Sequence, residues 1–295
     1  MEHNPARLYR GPVGYVMEPF VRRARGHGWA RRHQLVWKMH RAVWLATRSN
    51  RVVIEGHDML LDRGDALALA SGSYEPEETA WYRAHVRPGD LVVEVGANIG
   101  YFALILAQQV GPEGKVISFE PDPDLNKILR RNVTFNGYPQ VDVREAAVAA
   151  EPGTATFFRS SVSTGDHRLF AHGPDDESFP VRIVTLDDEL AGERRVDLLK
   201  MDIQGAEPLA LAGAAKVLAE NPPRRILMEF WPHGIVGMGN DPRELVALLR
   251  HAGYTIDRID GRPFDEDEAL RAEMTPENLH WVNLVCTHKT AEEIA

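Results

Sequence analysis

Val92-Val93-Glu94-Val95-Gly96-Ala97-Asn98-Ile99-Gly100-Tyr101-Phe102 reads as a buried strand that ends in a carboxylate and turns through two glycines into a helix. The turn needs backbone freedom at Gly96 and Gly100. Gly96 lets a ligand approach the main chain, and Gly100 lets the helix pack closely on the strand. A dinucleotide turn would read G-x-G-x-x-G and bare its amides to a pyrophosphate. This one reads E-x-G-x-N-x-G, with different glycine spacing and an acid in front. A carboxylate there repels a pyrophosphate and attracts an ammonium group.

Working outward, strands and helices alternate from residue 91 onward. Leu91–Val95, Lys115–Glu120, Val141–Val148, Val196–Asp202, Arg225–Phe230, Tyr254–Ile259 and Trp281–Thr287 read as strands. Helices are expected to Val110, over Asp124–Asn136, after Asp202, and over Pro242–Ala252. Gly137 and Gly253 mark two of the helix ends. This alternation predicts an α/β fold, a parallel sheet with helices on both faces. Residues 153–190 break the pattern with two short strands, Ala155–Arg159 and Val181–Thr185, around a polar loop. They read as an insertion over the sheet edge near the site. Upstream, Arg51–Asp62 suggests a β-hairpin, and residues 51–90 lead into the core.

The second strand ends Ser118-Phe119-Glu120-Pro121-Asp122. An acid at Glu120, on the strand next to the glycine turn, can accept both hydroxyls of a ribose. Read alone, Glu120 is also a helix N-terminal acid. Read with the turn, it indicates a nucleoside cofactor bearing an ammonium, which is S-adenosylmethionine (SAM) rather than NAD. The expected cofactor set is Glu94, Gly96, Asn98, Gly100, Tyr101, Glu120, Pro121 and Ala147.

Three stretches then carry a family resemblance: Glu94–Tyr101, Phe119–Asp122 with Asn132 and Asn136, and Leu198-Leu199-Lys200-Met201-Asp202-Ile203-Gln204-Gly205-Ala206-Glu207. Val184–Asp187 and Met228–Phe230 add to it. Over roughly residues 52–260 the chain resembles the FkbM family of SAM-dependent methyltransferases. Glu94 stands where Asp is usual, and Gln204 where Glu is common. The resemblance implies a class I, Rossmann-like methyltransferase with a mostly parallel seven-stranded sheet. It implies O-methyl transfer to sugars, polyketides or other natural products.

On the acceptor side, a hydroxyl is a poor nucleophile at neutral pH and benefits from a base or a metal. Asp202 and Glu229 end adjacent strands at the edge where open α/β sheets bind ligands. They are candidates for catalysis and for holding Mg²⁺, which takes carboxylate oxygens. The structural alternatives are a helix cap for Asp202 and an arginine partner for Glu229. Lys200 shares the strand face of Asp202, but a paired-lysine site lacks a second lysine. Glu207 is expected to serve a helix N-terminus. His167, in the insertion, is the candidate general base because its pKa lies near neutrality; a polar surface histidine is the other reading. His233 is a second candidate. Tyr74, Tyr101 and Trp231 could face a sulfonium or a sugar ring, or be core aromatics. Alternative functions are N-methylation of a small molecule and a non-catalytic SAM-binding scaffold.

The chain has 295 residues and a net charge of −9, unfavourable for nucleic acid as a partner of the whole surface. The charge is uneven. Residues 1–50 hold ten Lys/Arg against two Asp/Glu, and the remainder 24 against 41. Residues 1–50 form a basic arm whose stretch 18–48 is expected to be an amphipathic helix, suited to the acidic body, a second subunit or an anionic surface. Homo-oligomerisation through this extension is one expectation. Cys286 is the only cysteine, which excludes an intrachain disulfide and fits a reducing, cytoplasmic setting. No apolar run reaches the ~18 residues of a membrane span, and the start of the chain lacks a secretory layout.

Overall fold

Apolar strands buried on both faces must lie between layers of helices, and that requirement shapes the larger part of this chain. A computed structural model describes residues 50–62, 74–160, 164–171, 176–273 and 281–289. The basic arm expected over residues 18–48 lies outside the described residues. The chain divides into two units, Met1–Tyr74 and Glu75–Ala295.

In the first unit, β1 (Arg51–Ile54) and β2 (His57–Leu60) pair antiparallel as the expected hairpin. Glu55 and Gly56 both take positive φ, 52° and 86°, the requirement of a two-residue turn that matches strand twist. Arg51 Nε donates to Asp58 Oδ1 across the pair at 2.6 Å.

The second unit begins with α1 (Pro76–His85), then β3 (Leu91–Val95), α2 (Tyr101–Val110), β4 (Lys115–Phe119), α3 (Pro123–Phe135) and β5 (Val141–Arg144). The insertion follows: β6 (Ala147–Val148), β7 (Gly153–Arg159), a 3₁₀ turn (Thr164–Asp166) and β8 (Glu177–Val184). The chain returns through α4 (Leu186–Glu189), β9 (Leu198–Met201), α5 (Glu207–Ala212), α6 (Ala215–Glu220), β10 (Arg225–Phe230), α7 (Pro232–Gly237), α8 (Pro242–His251), β11 (Tyr254–Arg258), α9 (Glu266–Glu273) and β12 (Val282–His288).

The main sheet has seven strands in the order β11-β12-β10-β9-β3-β4-β5. Pairing is parallel from β10 to β5, and β12 runs antiparallel between β10 and β11. The fold is the class I methyltransferase arrangement expected. Strand order reverses between β3 and β9, so their C-terminal ends open a crevice at the switch point. Leu91, Val93 and Val95 on β3 are at most 1% exposed and join Leu199, Met201, Met228 and Phe230 in one core.

One boundary is corrected. The strand expected over Val141–Val148 is two strands in two sheets. β5 ends the main sheet at Arg144, while β6 pairs with β8 in a three-stranded sheet ordered β6-β8-β7. Ala146, Ala147 and Val148 are all buried. The chain crosses there from the edge of the main sheet into the small one. The helix over Glu266–Glu273 has no counterpart in the sequence reading.

Candidate active site

The turn after β3 is built so tightly that glycine is obligatory. Gly96 has φ 86°, and a Cβ on it would stand 2.0 Å from the carbonyl oxygen of Asp202. The glycine turn therefore abuts the acid-bearing end of β9. Gly100, at φ 92°, starts α2, and a Cβ there would meet Leu129 Cδ1 at 2.5 Å. From α3, Asn132 Nδ2 donates to Ile99 O at 2.8 Å and fixes the turn from behind. Asn98 holds a left-handed φ of 51°, uncommon outside glycine. Its backbone N–H donates to Glu120 Oε2 at 2.8 Å, and Asp122 N–H donates to Glu120 Oε1 at 2.9 Å. Burial pushes the Glu120 carboxyl up to about 8, outweighing both backbone donors. Glu120 thus sits fixed beside the turn with lone pairs left for hydroxyl donors, which fits the ribose of SAM.

Glu94 has a different neighbour from the one expected. It is wholly buried, accepts from Ser118 Oγ at 2.7 Å through Oε2, and leaves Oε1 without a hydrogen-bond partner. It stands opposite Lys200 in the β3–β9 ladder. Burial raises its pKa, and the Lys200 charge opposes that rise. Inside the protein the cation that acts on this acid is Lys200.

Lys200 is itself 2% exposed. Its Nζ donates to Gly96 O at 3.3 Å, lies 3.7 Å from Asp202 Oδ2, and stands 5.3 Å over the Phe102 ring. Burial lowers its pKa, but the charges of Asp202, Glu94, Glu78 and Glu229 outweigh this and leave it raised. Beyond Asp202, Gln204 takes a left-handed φ of 55° ahead of Gly205 at 94°. Its Nε2 donates to Asp202 Oδ1 at 2.9 Å and to Glu229 Oε2 at 3.0 Å. The two acids do converge, held by one amide. Burial first, and the Asp202 charge second, hold Glu229 well above the ordinary carboxylate range. From α1, Glu78 joins the group, accepting from Tyr82 Oη at 2.9 Å and from Asn283 Nδ2 at 2.9 Å. Glu207 accepts from Ile203 N–H at 3.0 Å, the helix-end role expected for it.

The Asp202–Glu229 pair does not fit Mg²⁺. One oxygen of each carboxylate accepts from the Gln204 amide, and Asp202 Oδ2 faces the Lys200 ammonium, where a cation would need free oxygens. Among the described residues, no group of three or more His, Cys, Asp and Glu is arranged to hold a metal.

His167 lies elsewhere. Its Nδ1 is 3.4 Å from Asp122 Oδ2, at the end of β4. β4 and β10 are separated by β3 and β9, which at ordinary strand spacing is roughly 14 Å. Asp122 is gripped by Arg159 at 2.5 and 2.7 Å and caps α3 by accepting from Asp124 N–H at 2.8 Å. Burial raises the Asp122 pKa, but Arg159 and His167 more than reverse this and hold it well below the carboxylate range. His167 therefore belongs to the Glu120 side of the crevice. Tyr101 is 5% exposed and its hydroxyl meets Thr79 Oγ1 at 3.2 Å, so it is a core aromatic. Ala147 packs with Phe157, Val181 and Ile183 in the core of the small sheet. Pro121 is half-buried between Glu120 and Asp122, and His233 is exposed beside Trp231. Tyr74 closes the first unit.

The sequence reading missed Glu78 and the bridging role of Gln204. Glu78 lies 124 residues before Asp202, and no spacing links them. Gln204 was readable only as the loss of an acid.

Residues 94–256 match the family described as Methyltransferase FkbM domain. The chain is 28% identical over 208 residues to methyltransferase sdnD of Sordaria araneosa, covering 59% of this chain and 77% of that protein. It is 31% identical over 204 residues to 31-O-demethyl-FK506 methyltransferase FkbM of Streptomyces tacrolimicus, covering 58% and 75%. Among solved structures, a TehB-like SAM-dependent methyltransferase from Corynebacterium glutamicum aligns with 75% of this chain and 91% of its own, at 14% identity and a TM-score of 0.43.

Proposed function

The chain belongs to the FkbM family of SAM-dependent methyltransferases, and from that premise we propose that it methylates a hydroxyl of a small sugar-like or natural-product acceptor at the Asp202–Gln204–Glu229 rim. The observation that carries this reading is the contact between Gly96 and the Asp202 carbonyl, which puts the cofactor turn and the acid rim in one crevice. The name of the Streptomyces tacrolimicus relative, which specifies methylation at an oxygen, supports O-transfer.

SAM supplies an activated methyl on a sulfonium, so the protein has only to align the nucleophile and accept its proton. Glu120, fixed beside the Gly96–Gly100 turn, would hold the ribose of SAM through its hydroxyls. Asp202 is the proton acceptor: its side chain is 32% exposed, whereas Glu94 and Glu78 are buried and the half-buried Glu229 has its pKa pushed well up. Gln204 and Lys200 fix the direction of its carboxylate. Burial and the Asp202 charge raise the Glu229 pKa, which works against the rim carrying two full negative charges. The place of His167 against Asp122 supports a role in holding the insertion at the cofactor side rather than one as acceptor base.

The test is Asp202→Asn. SAM affinity should stay within threefold, while transfer of labelled methyl to an accepted alcohol falls at least a hundredfold, the usual scale of general-base catalysis. Unchanged turnover removes Asp202 from the chemistry. No SAM binding by the parent protein would refute the whole reading.

A further inference from the structure

Two of the three guanidinium nitrogens of Arg168 lack the partner their burial demands. The residue is 3% exposed, yet Nε and Nη2 have no hydrogen-bond partner. Asp166 and Asp176 lie near enough to act on its charge, but these two nitrogens bond neither. Buried guanidinium N–H groups are ordinarily satisfied, and an exception calls for a cause.

Its backbone and side chain are both held by neighbours. The Arg168 backbone exchanges two hydrogen bonds with Phe158, at 2.8 and 3.1 Å, which pins it to β7. The guanidinium carbon stacks 4.6 Å from the Phe170 ring and 5.4 Å from the Trp231 ring. Both rings rest on glycines of α7. A Cβ at Gly234 would come within 2.1 Å of Trp231, and one at Gly237 within 2.9 Å of Phe170. Trp231 follows β10 directly, two residues after Glu229. The insertion therefore brings one cation to the residue that follows the C-terminal end of β10, the strand that carries Glu229.

Resting on the acceptor site proposed above, we propose that Arg168 is the specificity residue for an acceptor that carries an oxyanion, a carboxylate or a phosphate, in addition to its hydroxyl. Nε and Nη2 form one edge of the planar guanidinium, which matches two oxygens of such a group. The aromatic rings behind it hold the edge in place. The Asp202 carboxylate repels the anionic end of the acceptor, so the molecule enters with its anion on Arg168 and its hydroxyl toward Asp202. One charge thus sets both substrate class and orientation.

The experiment is calorimetry on the full chain, with and without S-adenosylhomocysteine, using D-glucuronate, D-glucose 6-phosphate and D-glucose at constant ionic strength. One of the two anionic probes should bind at least tenfold more tightly than glucose, and which one does so separates carboxylate from phosphate. Arg168→Gln should erase that preference without changing affinity for S-adenosylhomocysteine. Arg250→Gln, which removes an exposed arginine paired to Glu266 at 2.8 Å, should leave it intact. Should Arg168→Gln not fold, Arg168→Lys carries the test: it retains charge and should lose at least fivefold of the preference. Equal binding of the three sugars, an undiminished preference in either Arg168 variant, or a loss confined to S-adenosylhomocysteine overturns the proposal. A protein that binds no S-adenosylhomocysteine refutes the methyltransferase reading alone, because the anion preference is also read without it.

Discussion

Glu78→Gln should make the cofactor-free protein more stable, and by an amount that depends on pH. Glu78 is 5% exposed, and burial, partly opposed by the Lys200 charge, pushes its carboxyl up to about 7 from the ordinary glutamate value of 4.5. The folded state therefore holds this proton more tightly than the unfolded chain does. Its contribution to stability is present below pH 4.5, falls as pH rises, and is lost above pH 7. At 1.36 kcal/mol per pH unit, the full loss is about 3 kcal/mol, and about 2.5 kcal/mol of it falls between pH 5 and pH 9. Glutamine keeps the shape without the charge. Its carbonyl can accept from Asn283 Nδ2, and its amide can donate to Tyr82 Oη, which now donates to Glu78. Urea denaturation of both proteins at pH 5, 6, 7, 8 and 9 measures the effect. The variant should match the parent within about 1 kcal/mol at pH 5 and exceed it by about 2–3 kcal/mol at pH 9. A gap that does not change with pH would refute the burial argument for this acid. A gap that runs the other way would show that Glu78 is an ion pair of Lys200 in the folded state.

Three further outcomes follow from particular contacts. Gly96→Ala combines a left-handed alanine with a clash against the Asp202 carbonyl; it should cost roughly 2–4 kcal/mol, lower the melting temperature by about 5–15 °C and abolish SAM binding. A melting point within 1 °C of the parent would show that the turn is not tight. Glu120→Ala should weaken SAM by roughly 10–100-fold in a titration, the scale of one or two hydrogen bonds; unchanged affinity rejects the ribose role. His167→Ala should keep kcat within about threefold with an unaltered pH profile, whereas a loss beyond a hundredfold would restore it as the base.

The glycine turn, the order of strands and helices, and the two acids at the crevice were legible in the sequence because each depends on local chemistry. Gly96 and Gly100 are demanded by backbone conformation, and both are left-handed. Core strands such as Leu91–Val95 are apolar because both their faces are covered. The split of the strand over Val141–Val148 was not legible, because apolar residues that cross between two sheets look the same in sequence as those that continue one. The partners of Glu94 and His167 were not legible for a related reason. Residue type told what each could do, but its partner is a matter of register and of where the insertion lands.

By itself the sequence determined the fold class, the family and the Gly96–Gly100 turn, all properties of spacing and conformation along the chain. Only the tertiary structure decided how the charges are shared. It set Glu94 against Lys200, joined Asp202 to Glu229 through Gln204, brought Glu78 in from α1, and sent His167 to Asp122 and Arg168 to Trp231. The energy of a buried charge depends on what surrounds it in space, and residues 124 positions apart become neighbours only when the sheet is assembled.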